Sequence, residues 1–518
     1  MIVNKSRKEY VINNAKYGVI KYIIQLVLQF FVRTIFIRIL GENYLGLNSV
    51  FSSILGMLNI VELGMGTAIV YSMYKPIAEN DIEKIKSLDT LYKKIYFVIA
   101  IIVTVIGLGI IPFLKYFITG STAELNINFI LIYILYLANS VTNYLSAHKR
   151  ALLFAYQRND IESKIKTITI SILYLLQSIS LIIFKNYYIY VILMPITTIL
   201  DSLLVFIYSK KLFPEISGKS QKLDKSTETE IKKNVIAMSM HQISSTVVSS
   251  TDSILISMII STAIAGIYSN YYTIIYTVTC VFTLLTTVLK SSVGNMLATS
   301  DINHSKQIFD NLNTLFSILA GFCSIALICL LQHFIPLWTG SVNYKLDFNI
   351  VLVLCIQFYL TIMRFNTVMF KDCAGLMWND RWKPIIEAST NLIVSIILGK
   401  YLGLIGIFLG TIASTLIAPF WIEPHVLFKY YFKTPIKNYW KKYFINTVIT
   451  LIIGSITYLL CSLLPTSGII VFIVKMLICI FVPTILYLLF YFKSPELKYF
   501  ITLLKTYINK NKKNHSKN

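Results

Sequence analysis

Long apolar segments recur along the whole chain. Each is close to the ~20 residues that an α-helix needs to cross the hydrocarbon core of a bilayer. Turn-forming sequences such as PTSG at 465–468 separate several segments, but the break near Gly403 is weaker, so twelve or thirteen spans also fit. The pattern predicts an all-α polytopic membrane protein with about fourteen transmembrane helices, at residues 17–40, 44–74, 95–118, 127–148, 165–184, 188–208, 235–260, 264–292, 312–335, 348–370, 385–401, 403–428, 443–464 and 469–492.

The composition and the charge distribution agree with this prediction. Of the 518 residues, 56% are hydrophobic and 14% are charged, whereas soluble domains carry about 25% charged residues. With the N-terminus assigned to the cytoplasm, 38 of the 47 Lys and Arg residues fall in the two tails and the loops on that side, and 4 fall in the opposite loops. Cytoplasmic loops carry this excess. We therefore expect both termini in the cytoplasm, and we expect the net charge of +23 to act on anionic lipid rather than on nucleic acid.

The sequence also repeats at an offset of 220 residues. ENYLGLNSVFSSI at 42–54 corresponds to TAIAGIYSNYYTI at 262–274, and RNDIESKI at 158–165 corresponds to NDRWKPII, with Asn159 on Asn379. Six spans per repeat is an even number, so the two halves share one orientation and are related by an axis along the membrane normal. The repeat predicts a six-span lobe with its cytoplasmic linker at 1–234, a second six-span lobe at 235–433, and two extra spans with a basic tail at 434–518.

The first span carries polar residues that a simple membrane anchor does not need. In KYIIQLVLQFFVRTIFIR, the side chains of Lys21, Gln25, Gln29 and Arg33 follow one another at i+4 and therefore share one face of the helix. A charged side chain at mid-bilayer costs a few kcal/mol even on the most lenient insertion scale. We expect this stripe to line a water-filled central cavity, although Gln side chains in membrane helices also serve to hold helices together.

Polar stripes occur in the second half as well. His241, Ser245, Ser249 and Asp252 form one in the seventh span, and Arg364 lies on another in the tenth span. Neither Arg33 nor Arg364 has a carboxylate one turn away in its own helix, so we expect each to meet water or an anionic substrate, with Lys21 near the cytoplasmic mouth. Asp252 and Glu62 are either counter-ions of these cations or ion-coupling residues. The remaining cations inside spans, Arg38 and Lys475, are expected to extend to the interface.

The chain offers little for catalysis or for metal binding. No nucleotide-binding loop is recognisable, and the longest internal loop, 209–234, is a Lys/Glu/Ser linker too short for a catalytic site. We therefore expect neither enzymatic activity nor a cofactor, with coupling to a gradient of H⁺ or Na⁺ left open. The cysteines form no CxxC pair and no His-linked ligand set, so they are expected to pack as small apolar residues. They are Cys280, Cys323, Cys329, Cys355, Cys373, Cys461 and Cys479.

The opening sequence resembles a known family. YGVIKYIIQLVLQFFVRTIFIRILGENYLGLNSVFSSILGMLNIVELGMGTAIVYSMY is similar to the first two helices of bacterial polysaccharide repeat-unit flippases. RALLFAYQRNDIESKI resembles their loop between the fourth and fifth helices, and LGLIGIFLGTIAST at 402–415 resembles their Gly-rich twelfth helix. With fourteen spans, the similarity covers essentially the whole chain. The family belongs to the multidrug/oligosaccharidyl-lipid/polysaccharide exporter superfamily, whose two lobes alternate between inward-open and outward-open states.

This resemblance implies a transport function. We expect the chain to flip undecaprenyl-diphosphate-linked oligosaccharide units of an O-antigen or capsule across the bacterial cytoplasmic membrane, with Arg33, Arg364, Lys21, Gln25 and Gln29 as substrate-binding residues. The implied partners are the lipid-linked oligosaccharide, membrane lipids, a polysaccharide polymerase and glycosyltransferases. A multidrug or cation antiporter of the same superfamily is one alternative, although such a protein is expected to have a net acidic cavity. A flippase for another lipid-linked cell-wall precursor is the other.

Overall fold

Every secondary-structure element in the described part of the chain is a helix. The computed structural model describes residues 7–62, 65–216, 246–248, 250–465 and 467–496, together with 498, 499 and 502, and contains no strand within them. Two compact units are present, Met1–Ser269 and Asn270–Asn518. The boundary falls inside one helix, Thr262–Thr299. The three-part division at residues 234 and 433 stays a prediction.

The first unit is built from long apolar helices joined by short connections. Turns connect most of them directly; for example, Asp81 caps the helix that follows it by accepting a hydrogen bond from the backbone N–H of Lys84 at 3.0 Å. The helices are α1 (Arg7–Leu58), α2 (Met65–Ala78), α3 (Ile82–Ile110), α4 (Phe129–Ala155), α5 (Asn159–Phe184), α6 (Tyr187–Leu212), α7 (Thr246–Ile259) and the start of α8 (Thr262–Thr299).

The second unit follows the same plan and adds two helices at its end. Its helices are the rest of α8, α9 (Ile302–Thr339), α10 (Phe348–Cys373), α11 (Lys383–Leu402), α12 (Leu404–Ile417), α13 (Pro419–Val426), α14 (Lys437–Ser462) and α15 (Ile469–Tyr491). A π-helical turn, Leu427–Phe432, continues α13. The two added helices, α14 and α15, pack against α9 through a buried cluster that contains Ile325, Ile453 and Tyr487.

The number of membrane-spanning helices agrees with the fourteen predicted spans once two details are considered. Among the described residues, 12 helices are long and apolar enough to cross a membrane. The 52-residue helix α1 covers both the first predicted span and part of the second, and it breaks at Gly41, where φ is 83°. Only glycine adopts this backbone conformation readily. The seventh predicted span, 235–260, is described only from Thr246, so His241 and Ser245 lie outside the described residues. The prediction of an all-α polytopic fold is confirmed.

Three glycines that lie at breaks or repeats in the sequence have clear structural roles. Gly403, with φ of 63°, separates α11 from α12, so the weak break near this residue is a genuine helix boundary. Gly46 and Gly266, which the repeat aligns, pack backbone to backbone inside the first unit. A Cβ atom on Gly266 would lie 2.5 Å from the backbone N of Gly46. Any larger residue would push α1 and α8 apart.

Candidate functional site

Helix α1 has two chemically different faces. Val19, Ile23, Val27 and Phe31 are all more than half exposed and repeat at i+4, as expected for a face turned toward lipid. The predicted polar stripe of Lys21, Gln25, Gln29 and Arg33 lies half-buried, displaced by two residues from the apolar face. Two residues correspond to about 200° around a helix. The polar stripe is therefore turned away from the exposed apolar face.

The two cations of the stripe make different contacts in the first unit. The ammonium of Lys21 lies 3.4 Å from a carboxylate oxygen of Glu162 on α5. Arg33 donates from Nη2 to the hydroxyl oxygen of Ser269 at 2.5 Å. Both positions face helices of the protein rather than an exposed surface. Substrate binding by Gln25 and Gln29 stays a prediction.

A charge network connects three helices of the first unit. Arg150 on α4 donates to Asp201 on α6, and its Nη1 also lies 3.4 Å from Glu162 on α5. Lys166 of α5 approaches the same Asp201 carboxylate at 3.7 Å, and Thr169 donates a hydrogen bond to it at 2.9 Å. The Asp201 side chain is only 2% exposed. Its charge is therefore balanced inside the protein rather than by solvent.

The second unit contains a network of the same composition. Arg364 on α10 binds both carboxylate oxygens of Glu423, at 2.9 Å from Nε and 2.7 Å from Nη2, and its Nη1 lies 3.5 Å from Glu387 on α11. Lys383 donates to the same Glu423 at 2.7 Å. The Glu423 side chain is fully buried. The sequence shows no carboxylate one turn from Arg364 in its own helix, and the structure supplies its carboxylate partners from neighbouring helices, so its charge is not uncompensated. Substrate binding by Arg364 stays a prediction.

The two networks place the same groups on equivalent helices. In the first unit the buried carboxylate of Asp201 on α6 pairs with Arg150 on α4 and Lys166 on α5. In the second unit Glu423 on α13 pairs with Arg364 on α10 and Lys383 on α11. In each unit a second carboxylate, on α5 or on α11, also approaches the arginine. Sequence reasoning missed all four carboxylates. One sequence feature could have revealed two of them, since Asp201 and Glu423 each interrupt an apolar run. An ionisable residue inside a membrane span marks a functional or structural site by default.

The two predicted ion-coupling residues, Glu62 and Asp252, both belong to the first unit. Glu62 lines a cavity of about 570 Å³ in the first unit, together with Arg150, Tyr96 and Asn159. Asp252 is buried on α7, at 4% exposure, and the hydroxyl of its neighbour Ser253 lies 3.2 Å from that of Ser49 on α1. A role in ion coupling stays a prediction for both carboxylates.

The two cations assigned to the interface behave differently. Arg38 is exposed, as expected for a side chain that reaches the membrane surface. Lys475 on α15 is only 4% exposed and lines a cavity of about 560 Å³, together with Lys345 and Asp347 from the connection between α9 and α10. The expectation that Lys475 extends to an exposed interface is therefore wrong, because α9 and α14 cover it.

A separate apolar groove lies in the second unit. Helices α9, α10 and α14 enclose a space of about 590 Å³, lined by residues such as Ile328, Leu352 and Leu451. Phe420 and Tyr443 also line the groove and belong to an aromatic cluster, in which the ring of Phe420 lies 4.6 Å from that of Trp440 and 5.3 Å from that of Tyr443. The lining is almost wholly apolar, so the groove suits a hydrocarbon chain better than a polar group.

Comparisons with solved structures show a shared fold. The lipid II flippase MurJ in an inward closed conformation superposes with a TM-score of 0.66 at 16% identity, over 93% of this chain and 99% of that one. A multidrug resistance MATE family transporter of the MOP superfamily, in an inward-facing conformation, superposes with a TM-score of 0.62 at 14% identity, over 78% of this chain and 94% of that one. The outward-facing conformation of a MATE transporter also matches, with a TM-score of 0.52 at 14% identity, over 79% and 94% of the two chains.

The sequence comparison identifies the family. No curated protein sequence matches the chain significantly. The sequence profile of the family described as "Polysaccharide biosynthesis protein" matches residues 11–290, more than half of the chain. The matched segment contains the polar stripe of α1 and the whole charge network of the first unit. The chain is therefore a multi-pass membrane protein that belongs to the polysaccharide biosynthesis protein family and has the fold of the MOP transporters.

Proposed function

We propose that this protein flips undecaprenyl-diphosphate-linked oligosaccharide repeat units across the bacterial cytoplasmic membrane by alternating access, for export of a surface polysaccharide. The observation that carries the proposal is the cationic, amide-bearing stripe of α1, turned away from an apolar exposed face in a member of this family. Lys21, Gln25, Gln29 and Arg33 supply the charge and the hydrogen-bond donors that an anionic, hydroxyl-rich head group needs.

The chemistry of the substrate explains the stripe. A diphosphate-linked oligosaccharide cannot cross hydrocarbon unaided, because its charges and hydroxyl groups would lose their hydration. Guanidinium and ammonium groups form charge-assisted hydrogen bonds to phosphate, and a guanidinium can do so in bidentate geometry. Arg33 would bind the diphosphate or an acidic sugar, with Lys21 closer to the cytoplasmic entrance.

The apolar groove of the second unit suits the other end of the substrate. Its walls are formed by α9, α10 and α14, so one of the two helices beyond the predicted repeat contributes to it. At about 590 Å³ it has room for a few isoprene units rather than for a whole polyprenyl chain. We assign to it a segment of the lipid tail, with the remainder in the bilayer.

A flippase for another lipid-linked cell-wall precursor is the second candidate, supported by the fold similarity to the lipid II flippase over 93% of the chain. Both candidates use an anionic diphosphate lipid. A multidrug or cation antiporter is less well supported, because cations would meet the positive charges of Lys21 and Arg33 on α1.

The proposal includes an orientation. The Lys and Arg distribution supports cytoplasmic termini, so that glycosyltransferases supply the substrate on that side and a polymerase uses it on the other. On a cysteine-free background, an impermeant thiol reagent should label Ser341→Cys from outside intact cells. Labelling of a cysteine at position 222 without permeabilisation would reverse the orientation.

A reconstituted assay tests the function directly. Purified protein in vesicles that contain a fluorescent undecaprenyl-diphosphate oligosaccharide should move the lipid between leaflets, as read from its accessibility to an impermeant sugar-cleaving enzyme. Protein-free vesicles and a cationic dye as substrate provide the two controls. Transport of the dye without movement of the lipid would contradict the proposal. If Asp252→Asn leaves any dependence on an H⁺ or Na⁺ gradient unchanged, Asp252 is a structural residue rather than a coupling residue.

A further inference from the structure

Three cysteines that are far apart in the sequence meet in the second unit. Cys329 on α9, Cys461 on α14 and Cys479 on α15 are all buried, and their sulfur atoms lie within 4.8 Å of one another. The sulfurs of Cys461 and Cys479 are 3.9 Å apart. The sequence spacing predicted no ligand set, because each of the three thiols comes from a different helix. The helix packing creates the cluster.

The sulfur separations suit a common metal ion. A zinc–sulfur bond of about 2.3 Å in tetrahedral geometry places two sulfur ligands about 3.8 Å apart. The observed 3.9 Å between Cys461 and Cys479 is close to this value. A disulfide would instead need the two sulfurs at about 2.05 Å. The third sulfur, from Cys329, has to move by about 1 Å at most to complete three ligands, since no pair exceeds 4.8 Å.

The surroundings supply charge balance and a fourth position. Three thiolates around a divalent cation leave one negative charge, and the buried ammonium of Lys475 lines the same cavity as Cys329 and Cys461. The cavity, of about 560 Å³, has room for a water molecule. Gln332 also lines it, and its Oε1 is a buried atom with no hydrogen-bond partner among the described residues. That oxygen can accept a hydrogen bond from a water bound to the metal.

We propose that Cys329, Cys461 and Cys479 bind Zn²⁺, a divalent cation that prefers thiolate ligands, with water as the fourth ligand. The ion ties α14 and α15 to α9, beside a cavity that is also lined by Lys345 and Asp347. Binding releases the thiol protons to solvent through the cavity, so that the metal affinity falls as the pH is lowered. This site is independent of the transport function proposed above.

Metal binding to the purified full-length protein tests the proposal. After removal of metal with a chelator under reducing conditions, the wild type should take up one Zn²⁺ per chain in competition with a chromophoric chelator. Co²⁺ in its place should give the thiolate charge-transfer and tetrahedral d–d absorption bands. The Cys329→Ala, Cys461→Ala, Cys479→Ala triple variant should lose both signals. Lys475→Met should weaken the affinity by about ten-fold, a typical effect of losing a supporting group around a metal.

Two controls keep the result interpretable. Cys323→Ala, on the same helix as Cys329, and Cys355→Ala, buried on α10, should bind metal as the wild type does. Added Zn²⁺ should raise the melting temperature of the wild type and of both controls but not that of the triple variant. Equal Zn²⁺ uptake by the wild type and a folded triple variant would overturn the proposal, as would a Cys461–Cys479 disulfide in protein isolated without reductant.

Discussion

Arg33 and Arg364 both lie deep inside predicted spans, Arg33 in the first span and Arg364 in the tenth, yet the structure surrounds them differently. Arg364 is held by both oxygens of Glu423 and approached by Glu387. Arg33 donates to the hydroxyl of Ser269. Two carboxylates neutralise a guanidinium and hold it in a fixed orientation. Arg364 is therefore part of a buried charge network, whereas the contact described for Arg33 is to a hydroxyl group.

The difference between the two arginines predicts that one substitution acts on stability and the other on transport. A buried ion pair contributes little when it replaces apolar packing, but removing one partner leaves an uncompensated charge behind. Arg364 and Arg150 each hold a buried carboxylate in this way. We expect their removal to act first on folding. Arg33 is expected to act first on the substrate.

The largest expected effect on stability belongs to Arg364→Ala. This change leaves the fully buried Glu423 with Lys383 as its described cationic partner and should lower the free energy of unfolding by about 3–5 kcal/mol. Equilibrium unfolding in mixed micelles measures the loss. Arg364→Lys should recover part of it, because charge is kept but bidentate geometry is lost. Wild-type stability of Arg364→Ala, combined with lost transport, would instead make Arg364 a substrate ligand.

A smaller loss is expected for Arg150→Ala in the first unit. Asp201 keeps both Lys166 and the hydrogen bond from Thr169, so the same unfolding measurement should show a decrease of about 1.5–3 kcal/mol. Lys86→Ala, which breaks an exposed pair with Glu83 on α3, is a suitable control and should change the free energy by less than about 1 kcal/mol. A loss at Arg150 no greater than that at Lys86 would show that the first network does not stabilise its unit.

Lys21→Met should have the smallest effect on folding. The Lys21–Glu162 contact is long, at 3.4 Å, and the lysine side chain is 29% exposed, so the change in unfolding free energy should stay below about 1 kcal/mol. Transport should fall partially, because one positive charge near the entrance is lost. Glu162→Gln removes the other partner and serves as the control: it should leave transport closer to wild type. Equal losses of transport in the two variants would assign Lys21 to the ion pair rather than to the substrate.

The sequence predicted the helices far better than it predicted their partners. Hydrophobic length and glycine breaks located the spans, including the boundaries at Gly41 and Gly403, because these depend on local chemistry. The partners of Arg364 lie 23 and 59 residues away on other helices, so no helical-wheel argument could find them. The same holds for the three clustered cysteines. Their meeting depends on how α9, α14 and α15 pack, which periodicity within one helix does not encode.

The most direct test of the account compares two arginines on the same helix. Arg33 lies on the half-buried polar stripe of α1, and Arg38 is an exposed arginine five residues further along. Movement of a fluorescent undecaprenyl-diphosphate oligosaccharide between leaflets should be measured for Arg33→Ala and Arg38→Ala, at equal amounts of folded protein in vesicles. The account predicts that Arg33→Ala loses at least about ten-fold in rate, equivalent to about 1.4 kcal/mol, while Arg38→Ala keeps near wild-type transport. Equal rates for the two variants would contradict the claim that the polar stripe of α1 binds the substrate.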